Sequence, residues 1–127
     1  MRHSRHYTLD EARDMRDWVA LRVDTARSAL GVLGSADARA ALAALDANRG
    51  GGWPGRRVAQ ATLELQRATA HLQSADIVVR DVVRGLVDFP AVRDGEEVYL
   101  CWLVDELEIE HWHELDAGFA GRRPLTL

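Results

Sequence analysis

Apolar residues recur at Ala12, Met15, Val19, Val23, Ala26, Leu30 and Leu33. Steps of three and four mark one face of an amphipathic helix and predict it over residues 9–33. Thr8-Leu9-Asp10-Glu11 opens it as a capping box, in which the Thr8 hydroxyl accepts from the N3 amide and Glu11 reaches back to the cap. Tyr7 stands one position earlier, where it can staple onto Ala12. Trp18 lies beside the stripe, and Gly31 and Gly34 weaken the helix near its end. Ser35 can cap a short second helix over Ala38–Ala47; a single long helix bent near Gly34 gives the same pattern. Asn48 to Gly52 breaks the run, and Gly52-Trp53-Pro54-Gly55 reads as a turn. Val58, Ala61, Leu65, Ala68 and Leu72 then repeat in steps of three and four, a second seam over residues 56–74. Packed on the first helix, it makes a long antiparallel hairpin over residues 7–75. His71, beside that seam, is expected to be a partly buried structural histidine.

After residue 76 the period changes. Ile77-Val78-Val79 and Val82-Val83 are β-branched, and Leu86 to Pro90 reads as a short strand closed by proline. Asp94-Gly95 is a hairpin signal within a turn over Ala91–Gly95. Val98, Leu100 and Trp102 alternate with Tyr99, Cys101 and Leu103, a strand with two distinct faces. Val104 to Leu107 turns the chain. Ile109, His111 and His113 then share one face of a further strand, with Glu108, Glu110 and Trp112 on the other. Residues 76–127 are thus expected to form an antiparallel meander of three strands, with a fourth at Ile77–Arg80, and an irregular tail set by Gly118, Gly121 and Pro124. The fold class is α+β, in one domain over residues 1–127.

Composition narrows the function classes. The formal charge is -4, which argues against nucleic acid as a partner. All basic residues are Arg, so Schiff-base chemistry and a P-loop lysine are excluded. One Cys cannot form an intrachain disulfide, which fits a reducing cytoplasm. The first residues hold no apolar signal segment, and no apolar run approaches the ~20 residues that span a bilayer. A cytoplasmic protein with no membrane partner is expected.

The candidate chemistry sits in the last third of the chain. His111 and His113 point the same way along a strand, a spacing of roughly 6.5–7 Å that suits one divalent metal ion. Asp88, an acidic residue inside an apolar strand, needs a partner: the metal ion, to which it or a nearby Glu would be the third ligand, or Arg84, Arg122 or Arg123. Cys101 is either a buried structural thiol or a nucleophile with His113 as cross-strand base. Trp102 and Trp112 can wall a ligand pocket or simply fill the core. Arg122 and Arg123 suit an anionic ligand or a salt bridge. His3 and His6 are expected to be solvated tail.

Arg84-Gly-Leu-Val-Asp-Phe-Pro, Gly95, Tyr99-Leu-Cys-Trp, Glu106, Ile109, Trp112-His113, Gly118-Phe119, Gly121-Arg122 and Pro124-Leu125 together resemble the bacterial domain-of-unknown-function family 2203. The likeness is looser at Tyr7 to Ala12. Asp105 stands where that family usually has Gly, and the position of His111 varies in it. The resemblance therefore implies a shared site at His113, Asp88, Glu106 and Arg122, with His111 an accessory. It implies no reaction, substrate or cofactor. Two functional readings follow: a ligand- or metal-binding site on the sheet, or an interaction module in which the helices pair in a homodimer.

Overall fold

The computed structural model describes residues 1–35 and 53–125. The expected helix over Ala38–Ala47 lies outside them. Thr8 closes the capping box as expected: its hydroxyl accepts from the Glu11 amide at 3.1 Å, and its amide donates to the Glu11 carboxylate at 2.9 Å. The helix it opens is not continuous. α1 (Leu9–Asp14) stops at Met15, and α2 (Arg16–Leu33) starts anew without a side-chain cap. α3 runs from Trp53 to Ser74, so the expected turn at 52–55 is helical from Trp53. Pro54 fits there because the first turn of a helix leaves its amides unpaired.

α2 buries Val19, Val23, Ala26 and Ala29, and α3 buries Ala61, Ala68 and Leu72. The two helices pack against each other, and small Ala residues on both let the backbones approach closely. His71 is exposed, not partly buried, because it falls on the solvent side of the seam next to Leu72. Asp76 then turns the chain with φ +59, and the Ile77 amide donates back to the Leu72 carbonyl at 3.0 Å.

One antiparallel sheet follows, with strands adjacent in chain order: β1 (Val78–Asp81), β2 (Leu86–Arg93), β3 (Glu96–Leu103), β4 (His111–Glu114) and β5 (Arg123–Pro124). It has five strands rather than three or four, because part of the expected irregular tail folds back and pairs with β4. β2 runs on through Pro90, which was expected to end it. The Pro90 carbonyl accepts from the Tyr7 amide at 2.7 Å. A strand residue's N and C=O point to the same side, so proline's missing N–H here faces away from β3 and costs no ladder bond. Asp94 and Gly95, at φ +52 and +80, make the tight primed turn between β2 and β3. Ile109 is fully buried but precedes β4 instead of lying in it.

The alternation of β2 and β3 gives the sheet two faces. Val87, Phe89, Ala91, Val98, Leu100 and Trp102 join Ala12, Val19, Val23 and Leu72 in the helix-side core. Tyr7 belongs to that core as well as to the cap: its ring meets Phe89 edge-on at 5.4 Å, and its hydroxyl donates to the Ala75 carbonyl at 2.6 Å. The opposite face carries Asp88, Tyr99, Cys101, His111 and His113 by register. No helix among the described residues is long and apolar enough to cross a membrane.

Candidate functional site

Register brings the site together. Asp88 pairs with Cys101, Cys101 with His111, and Tyr99 with His113. One ligand atom each from Asp88, Cys101 and His113 lies within 4.8 Å of the others, and all three residues are about 1 % exposed. His111 is half-buried on the next cross-strand position and is not a member of this trio.

The partners of His113 fix its role. Its Nδ1 stands 2.6 Å from the Glu114 carbonyl oxygen, which can only accept, so Nδ1 carries a proton. Its Nε2 faces both Asp88 oxygens at 3.0 Å. A ring lone pair and a carboxylate repel unless a cation lies between them, so the site calls for a proton or a metal ion there. The Arg80 Nε donates to Asp88 Oδ2 at 2.8 Å, and the Arg80 guanidinium lies over the Tyr99 ring at 4.9 Å. Asp88 thus has the partner its burial demands, but the partner is Arg80. Arg84 lies over Phe119, and Arg123 pairs with Glu114.

Arg122 builds a second cluster. Its guanidinium donates to Glu106 Oε1 at 2.6 Å and to the Cys101 carbonyl at 3.2 Å, and it stacks on Phe119. Burial pushes the Glu106 carboxyl up, but Arg122 and the Leu103 amide outweigh it and hold the group below its usual range. His111 adds to that field, and its own buried Nδ1 has no hydrogen-bond partner. The expected convergence of His113, Asp88 and Arg122 is therefore two adjoining clusters that share Cys101.

The surroundings of Cys101 disfavour its thiolate, the form a nucleophile needs. Burial first, and the neighbouring Asp88 second, push its thiol up to about 12, with Arg122 offsetting part of the rise. Trp102 and Trp112 lie on the helix side of the sheet, away from Asp88 and His113. Trp102 is buried and donates to the Glu106 carbonyl at 3.0 Å. Trp112 is clasped by Arg93 and Arg123 at 4.6 and 5.3 Å.

The first residues are not solvated tail. His3 Nε2 meets the Tyr99 hydroxyl at 2.6 Å, and His6 Nε2 meets Glu97 Oε2 at 2.6 Å. The Arg2 and His3 amides also donate to Glu97, at 2.6 and 3.0 Å. Burial raises the Glu97 carboxyl, but these donors outweigh it and hold it at about 2. Arg80, Tyr99, Glu97, His3 and His6 carry no local motif; only the β1–β2 and β2–β3 registers, once known, place them here.

Fold and site define an α+β protein with one five-stranded antiparallel sheet and a buried Asp–Cys–His cluster. Residues 5–125 match the family described as "Uncharacterized conserved protein (DUF2203)", and the chain belongs to that family. No curated protein and no solved structure matches it.

Proposed function

We propose that this protein binds one divalent metal ion between Asp88, Cys101 and His113. The carrying observation is the orientation of His113: its Nδ1 is committed to the Glu114 carbonyl, which aims Nε2 at Asp88. Metal-ligating histidines are typically held this way, by their other ring nitrogen. Asp88 is supported likewise, with Arg80 on Oδ2 and Oδ1 left for the ion. The O, S and N donor set suits a borderline ion such as zinc, and a coordinated thiol ionises despite its raised pKa. Carboxylate and thiolate together balance a divalent charge. Closed burial of all three ligands favours a metal that ties β2, β3 and β4 together over one that turns over substrate. A thiolate ligand also sits best in a reducing cytoplasm.

Protein purified without an affinity tag and loaded with Co2+ tests this. The expected result is near-ultraviolet sulfur-to-cobalt absorption at about one metal per chain, lost in Cys101→Ala and His113→Ala and kept in His111→Ala. A folded wild type that holds neither cobalt nor zinc after dialysis overturns the reading, and leaves a proton between His113 and Asp88.

The exposed Leu21 and Leu63 support a second reading for the helices, in which α2 and α3 form the antiparallel hairpin and pair with a second copy. Sedimentation decides it: a dimer for the wild type and a monomer for Leu21→Glu with Leu63→Glu support it, and a wild-type monomer at high micromolar concentration ends it.

A further inference from the structure

Beside the Asp–Cys–His cluster lies a cavity of about 420 Å³, lined by His3, Thr69, Gln73, Asp76, Ile77 to Arg80 and Val82. It lies between the end of α3, β1 and the N-terminal arm, and its size falls in the range of small-ligand sites, roughly 300–1,000 Å³. Its wall is mainly apolar, from Ile77, Val78, Val79 and Val82. Arg80 is the only guanidinium among the lining residues.

We propose that this cavity binds a small carboxylate with an apolar body. Arg80 spends its Nε on Asp88, which anchors the side chain and fixes the plane of the guanidinium. The guanidinium also lies over the Tyr99 ring at 4.9 Å, and the side chain as a whole is still 40 % exposed, within reach of a ligand. A guanidinium held in place is pre-organised for a carboxylate, which it grips with two parallel hydrogen bonds. The one carboxylate in the wall, Asp76, is engaged by the arm: it accepts from the Ser4 hydroxyl at 3.4 Å and the Arg5 amide at 3.3 Å. His3 closes the same side and is itself held on the Tyr99 hydroxyl. The Arg80 end thus offers a guanidinium to a carboxylate, and Ile77 and the valines offer an apolar surface to its remainder. The inference does not depend on the metal centre, with which the cavity shares only Arg80.

The test uses chelator-treated full-length protein, so that it stands or falls apart from metal binding, and hexanoate as the probe. Titration followed by amide chemical shifts is expected to move Thr69, Gln73 and Val79 and to saturate. Hexylamine and acetate are expected to bind about tenfold more weakly or worse, the first for its charge and the second for its missing apolar body. Arg80→Gln is expected to lose at least about tenfold in hexanoate affinity. Because that change also strips Asp88 of a partner, Thr69→Trp serves as the second variant: it fills the cavity, leaves Arg80 in place, and is expected to abolish binding with the melting temperature retained. No saturable shift with hexanoate overturns the proposal. So does equal binding of hexylamine, or full binding by Thr69→Trp.

Discussion

Gly85 shows how one residue constrains its surroundings. Its φ is +73, and a Cβ there would come within 2.1 Å of the Arg27 guanidinium and 2.5 Å of the Val104 side chain. Gly85→Ala should therefore cost about 2–4 kcal/mol, from left-handed strain plus overlap. Gly95→Ala, at φ +80 with open space around it, should cost only about 1 kcal/mol. Urea unfolding of the two variants side by side checks this; equal losses would mean that the packing over Gly85 yields freely. Cys101 gives a second expectation at this scale. A thiol pushed up to about 12 stays protonated at pH 8, so iodoacetamide should label the native, metal-stripped protein very slowly and the urea-unfolded chain fast. Rapid native labelling would contradict the buried thiol. Asp88, Cys101 and His113 each stand out in the sequence by residue type alone. That Cys101 rather than His111 completes the trio follows from the pairing of Asp88 with Cys101, which no local pattern states.

Elements written by short-range rules were the legible ones. The Thr8–Glu11 box and the Asp94-Gly95 turn are closed within four residues, so the sequence alone describes them. Thr8→Ala should remove about 1 kcal/mol and lower the melting temperature by a few degrees. An unchanged transition would show that Tyr7, anchored on Phe89 and Ala75, holds the start of α1 without the cap. The break at Met15 and the continuation of β2 through Pro90 were not legible. The second depends on a partner far away in the chain, the Tyr7 amide. Arg80 was missed for a related reason. It stands two residues after Val78, which pairs with Asp88, so alternation puts it on the Asp88 face only once that β1–β2 register is known, and no local pattern states it.

At the scale of the whole molecule, the arm formed by the first six residues ties the chain's start to β3. Glu97 is its anchor, held at about 2 by His6 and two backbone amides. A carboxyl held below its ordinary value stabilises the folded state above the unfolded pKa, near 4.5, and that stability is lost as pH falls toward 2. Acidification over this range should release the arm. Glu97→Gln should lower stability at pH 7 and flatten the acid limb of a plot of melting temperature against pH; an unchanged acid limb would remove Glu97 from that role.

The same arm bears on the order in which the molecule assembles. Arg2 and His3 find their partner at Glu97, some ninety residues later in the chain. α2 can form from local contacts, and the β2–β3 hairpin closes over a two-residue turn. Contacts that span nearly the whole sequence carry the largest loop-closure cost and are gained late. Residues 1–6 are thus among the last to be fastened, and fluctuations of the native state should begin there. Amide hydrogens of Arg2 and His3 should exchange well ahead of those in β2 and β3, and equal protection would show that the arm and the sheet open as one unit.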